Sequence, residues 1–305
     1  MKIVLAGGSG HLGRLLTSAF LIGGMEVFIL TRDKGSVKCL DGVTTIHWDG
    51  ETIGEWVEQL EGVDTVINLT GRSIQCRFTA QNRKSLRDSR IGPTKLLGQA
   101  IQTLKSPPRL WINFSGISIF GGQGGLHSEE SLTYGTDFLA LLAQEWEKAF
   151  KEVNLVETKK VILRISPVLT KDSGMFSELF PLVKKGLGGA VGDGGQMVSW
   201  IHEVDLVQMV LWIIGLDEPA SVYHACSPHP VRNAEFMKIF REEAKVSFGV
   251  AMPTPLAHIG AFLKGIDASL LLQTVAVTTK TTIEDGFKFK YSYLHSALAQ
   301  LIKST

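Results

Sequence analysis

An apolar run, Ile3-Val-Leu-Ala6, breaks into Gly7-Gly-Ser-Gly-His-Leu-Gly13 and then into a helical pattern, an order that few folds accept. A turn this tight needs a residue without Cβ at Gly7, backbone contact with a pyrophosphate needs one at Gly10, and helix-on-strand packing needs a small residue at Gly13. The helix that follows offers unpaired N–H groups and the positive end of its dipole to phosphates. The stretch therefore reads as a dinucleotide-binding turn. It also holds the glycine skeleton of a P-loop, Gly8 to Gly13, but Arg14 and Leu15 stand where that loop requires Lys and Ser or Thr, which disfavours a nucleotide triphosphatase.

Beyond the turn, short and nearly continuous apolar runs at Glu26 to Leu30, Thr44 to His47, Thr65 to Leu69, Trp111 to Phe114 and Val161 to Ile165 read as parallel strands covered on both faces. Helical patterns fall at about Gly54 to Leu60, Thr79 to Leu104 and Asp137 to Val153. Strand alternating with helix implies an α/β fold, a doubly wound parallel sheet with right-handed crossovers and the cofactor across the strand carboxyl ends. From Pro167 the pattern loosens into glycine-rich loops, above all Gly186 to Gly195, with helices near Val204 to Ile214 and Ala234 to Ala244. The expected division is a dinucleotide-binding domain over 1–168 and a smaller C-terminal lobe over 169–305. No repeat, low-complexity tract or block of like charge appears.

The 305 residues carry 31 Lys and Arg against 30 Asp and Glu, so a net charge of +1 argues against a nucleic-acid or anionic-membrane surface. Cys39, Cys76 and Cys226 are odd in number and far apart, which suits neither a disulfide framework nor a zinc site and makes a reduced, cytoplasmic setting the expectation. The N-terminus enters its first strand without a basic region and cleavage site, so no signal peptide is expected. The most apolar helix, Leu206 to Leu216, is too short to span a bilayer and carries Gln208.

Cofactor choice turns on the end of the second strand, Phe28-Ile-Leu-Thr31-Arg32-Asp33. NAD sites of this type usually end that strand with an acid for the ribose hydroxyls, whereas the forked cation of Arg32 suits a 2′-phosphate. NADP(H) is the preferred reading and NAD(H) a possible one, with Arg32 as a solvated arginine and Asp33 as a displaced ribose acceptor under the alternative. Asn68-Leu69-Thr70-Gly71 closes the fourth strand where the chain must pass the adenosine side of the cofactor, or else forms an ordinary turn.

These residues resemble the extended or atypical short-chain dehydrogenase/reductase superfamily, and within it a subfamily of NADP-dependent, sugar-nucleotide epimerase/dehydratase-like proteins with a C-terminal domain of the DUF1731 type. The resemblance covers nearly the whole chain. It rests on Gly7 to Gly13, Val66 to Gly71, Ser89-Arg90 with Thr94, Ser115-Gly116, Asp137 to Ala140 with Trp146-Glu147, and Leu163-Arg164. In the second half it rests on Gly186 to Gly189, Gly192 with Gln196, Trp200-Ile-His202, Pro228 to Val231, Asn233 to Phe236 and Gly286-Phe287-x-Phe289. It implies a Rossmann domain plus a C-terminal α/β substrate lobe, with the segment around 198–227 returning to the first domain. It also implies a cofactor held by Gly7, Ser9, Gly10, His11, Leu12, Gly13, Thr31, Arg32, Leu69, Thr70, Gly71 and Pro167. Ser115 matches the active-site Ser or Thr at the end of strand five, whose hydroxyl stabilises developing charge on a substrate oxygen.

The superfamily's alcohol–ketone enzymes use a Tyr with a Lys four positions later, the cation lowering the phenol's pKa. Four positions beyond Tyr134, Tyr223, Tyr291 and Tyr293 stand Phe138, Ser227, His295 and Ala297, so no such pair exists. Where the pair belongs, the helix beginning at Asp137 presents an apolar face. Asp137, Tyr134 and Glu147 are the replacement acid–base candidates, although Glu147 reads equally as a solvated helix residue. Two other readings stay open: reduction of an activated double bond or imine with Ser115 sufficient, or a catalytically silent NADP-binding sensor or scaffold.

Arg77, Lys84, Arg90, Trp200 and His202 are substrate-binding candidates. Arg87 and Arg90 share a helix face at i,i+3 and suit an anionic substrate, or else are solvated charges. Trp200 and His202 follow a glycine loop able to close on a ligand, or else belong to the core. No metal-site, metalloprotease or serine-hydrolase motif appears, and the expected partners are a small molecule and a second copy in a homodimer.

Overall fold

A computed structural model describes residues 1–32 and 42–303, so Asp33 and Cys39 lie outside the described residues. Seven strands form one parallel sheet: β1 (Lys2–Ala6), β2 (Glu26–Thr31), β3 (Val43–His47), β4 (Thr65–Asn68), β5 (Leu110–Gly116), β6 (Lys159–Ile165) and β7 (Val222–Ala225). Their spatial order is β7-β6-β5-β4-β1-β2-β3, so the chain reverses direction across the sheet between β1 and β4. In open α/β sheets that reversal opens a crevice at the strand carboxyl ends.

Side-chain alternation divides the core into two layers. Ile3 and Leu5 of β1 face the layer covered by α1 (His11–Ile22) and α5 (Glu203–Gly215), where Leu16, Phe20 and Val210 are buried with them. Val4 and Ala6 face the opposite layer with Leu97 of α2 (Ala80–Thr103) and Phe150 of α3 (Phe138–Lys151). Burial on both faces is why these strands read as continuous apolar runs. The segment expected to be helical from Gly54 is a 3₁₀ helix, Glu55–Leu60, anchored by buried Trp56 and Leu60.

The C-terminal segment forms a further apolar cluster in which α4 (Gly174–Lys184), α6 (Asn233–Glu243) and the last helix, Leu294–Lys303, pack together. Phe176 stacks on Phe180 and on Phe240, each at 5.3 Å between ring centres. Short strand pairs stitch this part to the first: Leu126–His127 with Ala276–Val277, and Val168–Leu169 with Ile201–His202. Strand β7 and helix α5 carry the chain back to the large sheet after α4. Among the described residues no helix is long and apolar enough to cross a membrane.

Candidate functional site

The glycine turn sits where β1 ends in the crevice. Gly7 has φ +75°, a left-handed conformation that suits glycine, and its N–H donates to the Leu30 carbonyl at 3.1 Å. A Cβ at Gly7 would lie 3.1 Å from the Thr70 backbone, and one at Gly13 would run into the Gly8 carbonyl. At Gly10, by contrast, the nearest atom to a Cβ is 3.8 Å away, leaving open space in front of the turn. Gly10 caps α1 without a side-chain hydrogen bond, so amides of the first helical turn face that space unpaired, a fit for a pyrophosphate.

The opposite wall is the loop Leu69-Thr70-Gly71, held by a buried amide network. Asn68 Nδ2 donates to Thr94 Oγ1 at 2.8 Å and to Asn113 Oδ1 at 2.7 Å. Its Oδ1 accepts the Thr70 N–H and O–H at 3.1 and 2.7 Å, and Trp146 Nε1 donates to Thr94 Oγ1 at 2.9 Å. Leu69 is tied to β1 through its N–H to the Ala6 carbonyl. The other cofactor candidates ring this cradle or its rim. The Ser9 carbonyl accepts from Arg14, His11 Nε2 meets Thr170 Oγ1 at 3.2 Å, and Leu12 packs on the core. Thr31 is buried at the end of β2 with Arg32 exposed just beyond it, and exposed Pro167 accepts the Ile201 N–H.

Three of the four catalytic candidates, Ser115, Glu147 and Tyr134, meet at one buried ion pair. Ser115 stands at the end of β5 as its register requires, but its hydroxyl donates to Glu147 Oε1 at 2.9 Å. Glu147, 1% exposed, also accepts from Arg164 Nε at 2.7 Å and Nη2 at 2.9 Å, and from Lys151 at 3.3 Å. The solvated-helix reading of Glu147 is thereby corrected: its side chain turns inward because Arg164, also 1% exposed, projects from near the carboxyl end of β6. Tyr134 accepts from Arg164 Nη2 at 3.4 Å and lines a cleft of about 460 Å³ with Glu147 and Lys151. The fourth candidate, Asp137, is not part of this group. One oxygen caps α3 through the Ala140 N–H and the other accepts from Gln273, so its carboxylate is a structural cap.

Sequence reasoning missed Arg164 as the donor to Glu147, and missed the neighbouring His224, whose Nε2 lies 3.4 Å from Arg164 Nη1. A charge within the apolar run Val161 to Ile165 was the available signal. Over the first turn of α3, Phe138 and Leu142 pack with Leu86, Leu139, Cys76 and Phe78 in an apolar cluster.

Two substrate-binding expectations are corrected. Trp200 is completely buried among Leu169, Phe176 and Phe236. His202, equally buried, caps α5 by accepting the Val204 N–H at Nδ1 and meets Gln300 Oε1 at Nε2. Neither side chain reaches a surface that a ligand can touch. Lys84 is paired with Asp88 on an exposed turn of α2, and Arg87 with Glu145 of α3. Arg77 remains exposed, and Arg90 is half-buried against Gly71.

Burial pushes His202 down to about 4, with Lys290 adding to the fall and Gln300 opposing it. Burial does the same to His224, also to about 4, with Arg164 lowering and Glu129, the Thr278 carbonyl and Glu147 raising. An unfolded histidine takes its proton near pH 6.5, so stability is full above that value and falls as the pH drops toward 4. His202→Asn, which keeps a side-chain cap, should therefore lose on the order of 1–2 kcal/mol less than the parent between pH 7 and pH 5. Urea melts at the two pH values check this, and an equal loss in both proteins would contradict it.

The glycine cradle, the loop facing it and the parallel sheet beneath define a Rossmann-type dinucleotide-binding protein. The motif resemblance is borne out: the chain belongs to the NAD dependent epimerase/dehydratase family, whose model matches residues 3–225. It is 31% identical to Epimerase family protein YfhF of Bacillus subtilis (strain 168), over 99% of this chain and 98% of that one. Among solved structures, human epimerase family protein SDR39U1 (isoform 2) with NADPH is similar at TM-score 0.89 and 26% identity, covering 100% of both chains. The nucleoside-diphosphate sugar epimerase from Corynebacterium glutamicum follows at TM-score 0.78 and 26% identity, over 99% of this chain and 58% of that one.

Proposed function

We propose that the chain is an NADP(H)-binding, epimerase-like oxidoreductase that acts on a small or sugar-nucleotide-like molecule at the strand carboxyl ends, in the cytoplasm. The observation that carries this reading is the cradle: Gly7, Gly10 and Gly13 leave an open space bounded by Thr70, with uncapped helix amides facing it. Its support from relatives is the human protein solved with NADPH. Arg32 lies exposed at the end of β2, where a 2′-phosphate gains from a forked cation. Bound there, the nicotinamide supplies or accepts hydride. The chain's own contribution is a fixed floor, since Ser115 and Arg164 commit their donors to Glu147 and hold β5, β6 and α3 in register. Ser115 is thus a positioning residue, and Tyr134, beside the 460 Å³ cleft, is the proton carrier on this reading.

Titration with NADPH and NADH, followed by nicotinamide fluorescence, tests it. Arg32→Ala should weaken NADPH about tenfold and leave NADH within about twofold. Absence of binding by either nucleotide would sink the reading.

A second reading rests on the apolar cluster of Phe138 and Leu142, which occupies the turn of α3 where an acid–base pair would project. On that reading the protein binds NADP(H) and turns nothing over. Oxidation of bound NADPH by any member of a carbonyl, enone and imine panel decides against it.

A further inference from the structure

Residues 72–90 hold six cations, Arg72, Arg77, Arg83, Lys84, Arg87 and Arg90, against the single acid Asp88, in a chain whose net charge is +1. They form no block in sequence, but the fold gathers them along the loop after β4 and the first turns of α2. Lys84 and Arg87 are neutralised by Asp88 and Glu145, whereas no ion pair of the described residues involves Arg72, Arg77, Arg83 or Arg90. Asp267, near Arg83, is occupied by the N–H and O–H of Ser269.

Three of these arginines are joined in one strip. Arg90 Nη2 donates to the Arg72 carbonyl at 2.9 Å, and Arg72 Nη1 donates to Asn82 Oδ1 at 3.1 Å. Asn82 Nδ2 then donates to the Arg77 carbonyl at 2.8 Å. The strip starts at the cofactor loop, since a Cβ on Gly71 would sit 3.0 Å from Arg90 Cζ. It ends at the C-terminal lobe, where Arg77 donates to the Phe262 carbonyl and lies 4.0 Å over its ring, on α7 (Thr254–Lys264). Burial lowers Arg90 to about 10, with Cys76 opposing the fall and, among the described residues, no carboxylate paired to it. Each guanidinium has five N–H donors, and Arg72 and Arg77 use only a fraction of theirs while remaining exposed. Gathered cations without acids repel one another until an anion arrives.

Resting on the NADP(H) reading above, we infer that this strip, with Arg72 and Arg77 as the contacting residues, binds an anionic group of the substrate, a phosphate or a carboxylate, in the seam between cofactor loop and C-terminal lobe. Arg90 acts through Arg72, fixing its backbone.

The test uses protein saturated with NADPH, so that Arg32 is already covered by the nucleotide's own 2′-phosphate. Inorganic pyrophosphate and, separately, citrate are titrated by calorimetry at constant ionic strength, the pair distinguishing phosphate from carboxylate. At least one should bind, and Arg72→Ala and Arg77→Ala should each weaken it about tenfold while NADPH affinity stays within about twofold. Arg72→Ala guards against misfolding, because among the described residues the Arg72 side chain hydrogen-bonds Asn82 alone, whereas Arg77 also steadies α7. Binding of neither anion, or equal binding by parent and both variants, would overturn the inference. Were NADPH itself not to bind, the parent reading would fall, and the same titrations on the protein alone would still decide the strip.

Discussion

Gly13→Ala is expected to abolish useful NADPH binding and to destabilise the fold, whereas Gly10→Ala should lose binding alone. The difference follows from what each new methyl group meets. At Gly13 it runs into the Gly8 carbonyl, backbone atoms that cannot swing aside, so either the helix start or the turn must shift. Overpacking of this kind costs about 3 kcal/mol at the upper end of its usual range, and a displaced turn loses about 100-fold in affinity. At Gly10 the conformation is ordinary, φ −73°, and the nearest atom would be 3.8 Å away, so the protein accommodates the methyl. What that methyl fills is the space through which the backbone approaches the pyrophosphate. Thermal melts and NADPH titrations on both variants separate the two effects. A Gly10→Ala protein that binds NADPH like the parent would remove the pyrophosphate from the front of the turn.

The same glycines made the fold legible. Spacing at Gly7, Gly10 and Gly13, followed by alternating apolar runs and helical patterns, specifies the doubly wound sheet because each strand must be apolar on both faces and each crossover must be a helix. Contacts between distant elements were less legible. Glu147 reads as a solvated charge because a helix pattern shows which face is apolar but not that Arg164, 17 residues away, meets it. Trp200 and His202 follow a glycine loop and read from sequence either as ligand contacts or as core, and the structure decides for the core: the packing of α4, α6 and the last helix closes over the tryptophan, and Gln300 holds the histidine. Asp137, singled out as an acid, stands where a helix start needs an acceptor for the Ala140 N–H. Residue type at one position is compatible with capping and with catalysis alike, and only the partner decides.

A buried ion pair beneath a crevice performs a task that apolar packing does not: it fixes direction. Ser115, Glu147 and Arg164 come from β5, α3 and β6, and their hydrogen bonds at 2.9, 2.7 and 2.9 Å allow one relative placement of the three. The Asn68, Thr94 and Asn113 network does the same for the loop that faces the glycine turn. Both polar clusters lie in the layer of α2 and α3, while the layer of α1 and α5 is an extended apolar core. Positional precision is thus concentrated on the face that carries the cofactor loop.

Glu147→Ala should be the most destabilising of the substitutions that leave the cradle intact. It strands Arg164, which is 1% exposed and, among the described residues, is left with hydrogen-bond contacts at 3.4 Å alone, to Tyr134 and His224. Breaking a buried pair by removing one member costs about 3–5 kcal/mol, most of it the burden of the uncompensated charge. Ser115→Ala removes one hydrogen bond to that carboxylate and should cost about 1–2 kcal/mol, with NADPH affinity unchanged if Ser115 only positions. The double substitution Glu147→Leu with Arg164→Met removes both charges and should be milder than Glu147→Ala alone. Acid adds an independent check. Burial pushes the Glu147 carboxyl up, but hydrogen bonds and charge from Arg164, with Lys151 and Ser115, outweigh it and hold the group below its ordinary value. Its stabilisation is therefore complete above the unfolded pKa of about 4.3 and is lost as pH falls through the lower folded value. Guanidinium melts at pH 7 order the three variants, and the parent should lose more stability than the double variant below about pH 4.3. A double variant as unstable as Glu147→Ala would mean that the lost contacts, rather than the stranded cation, account for the effect.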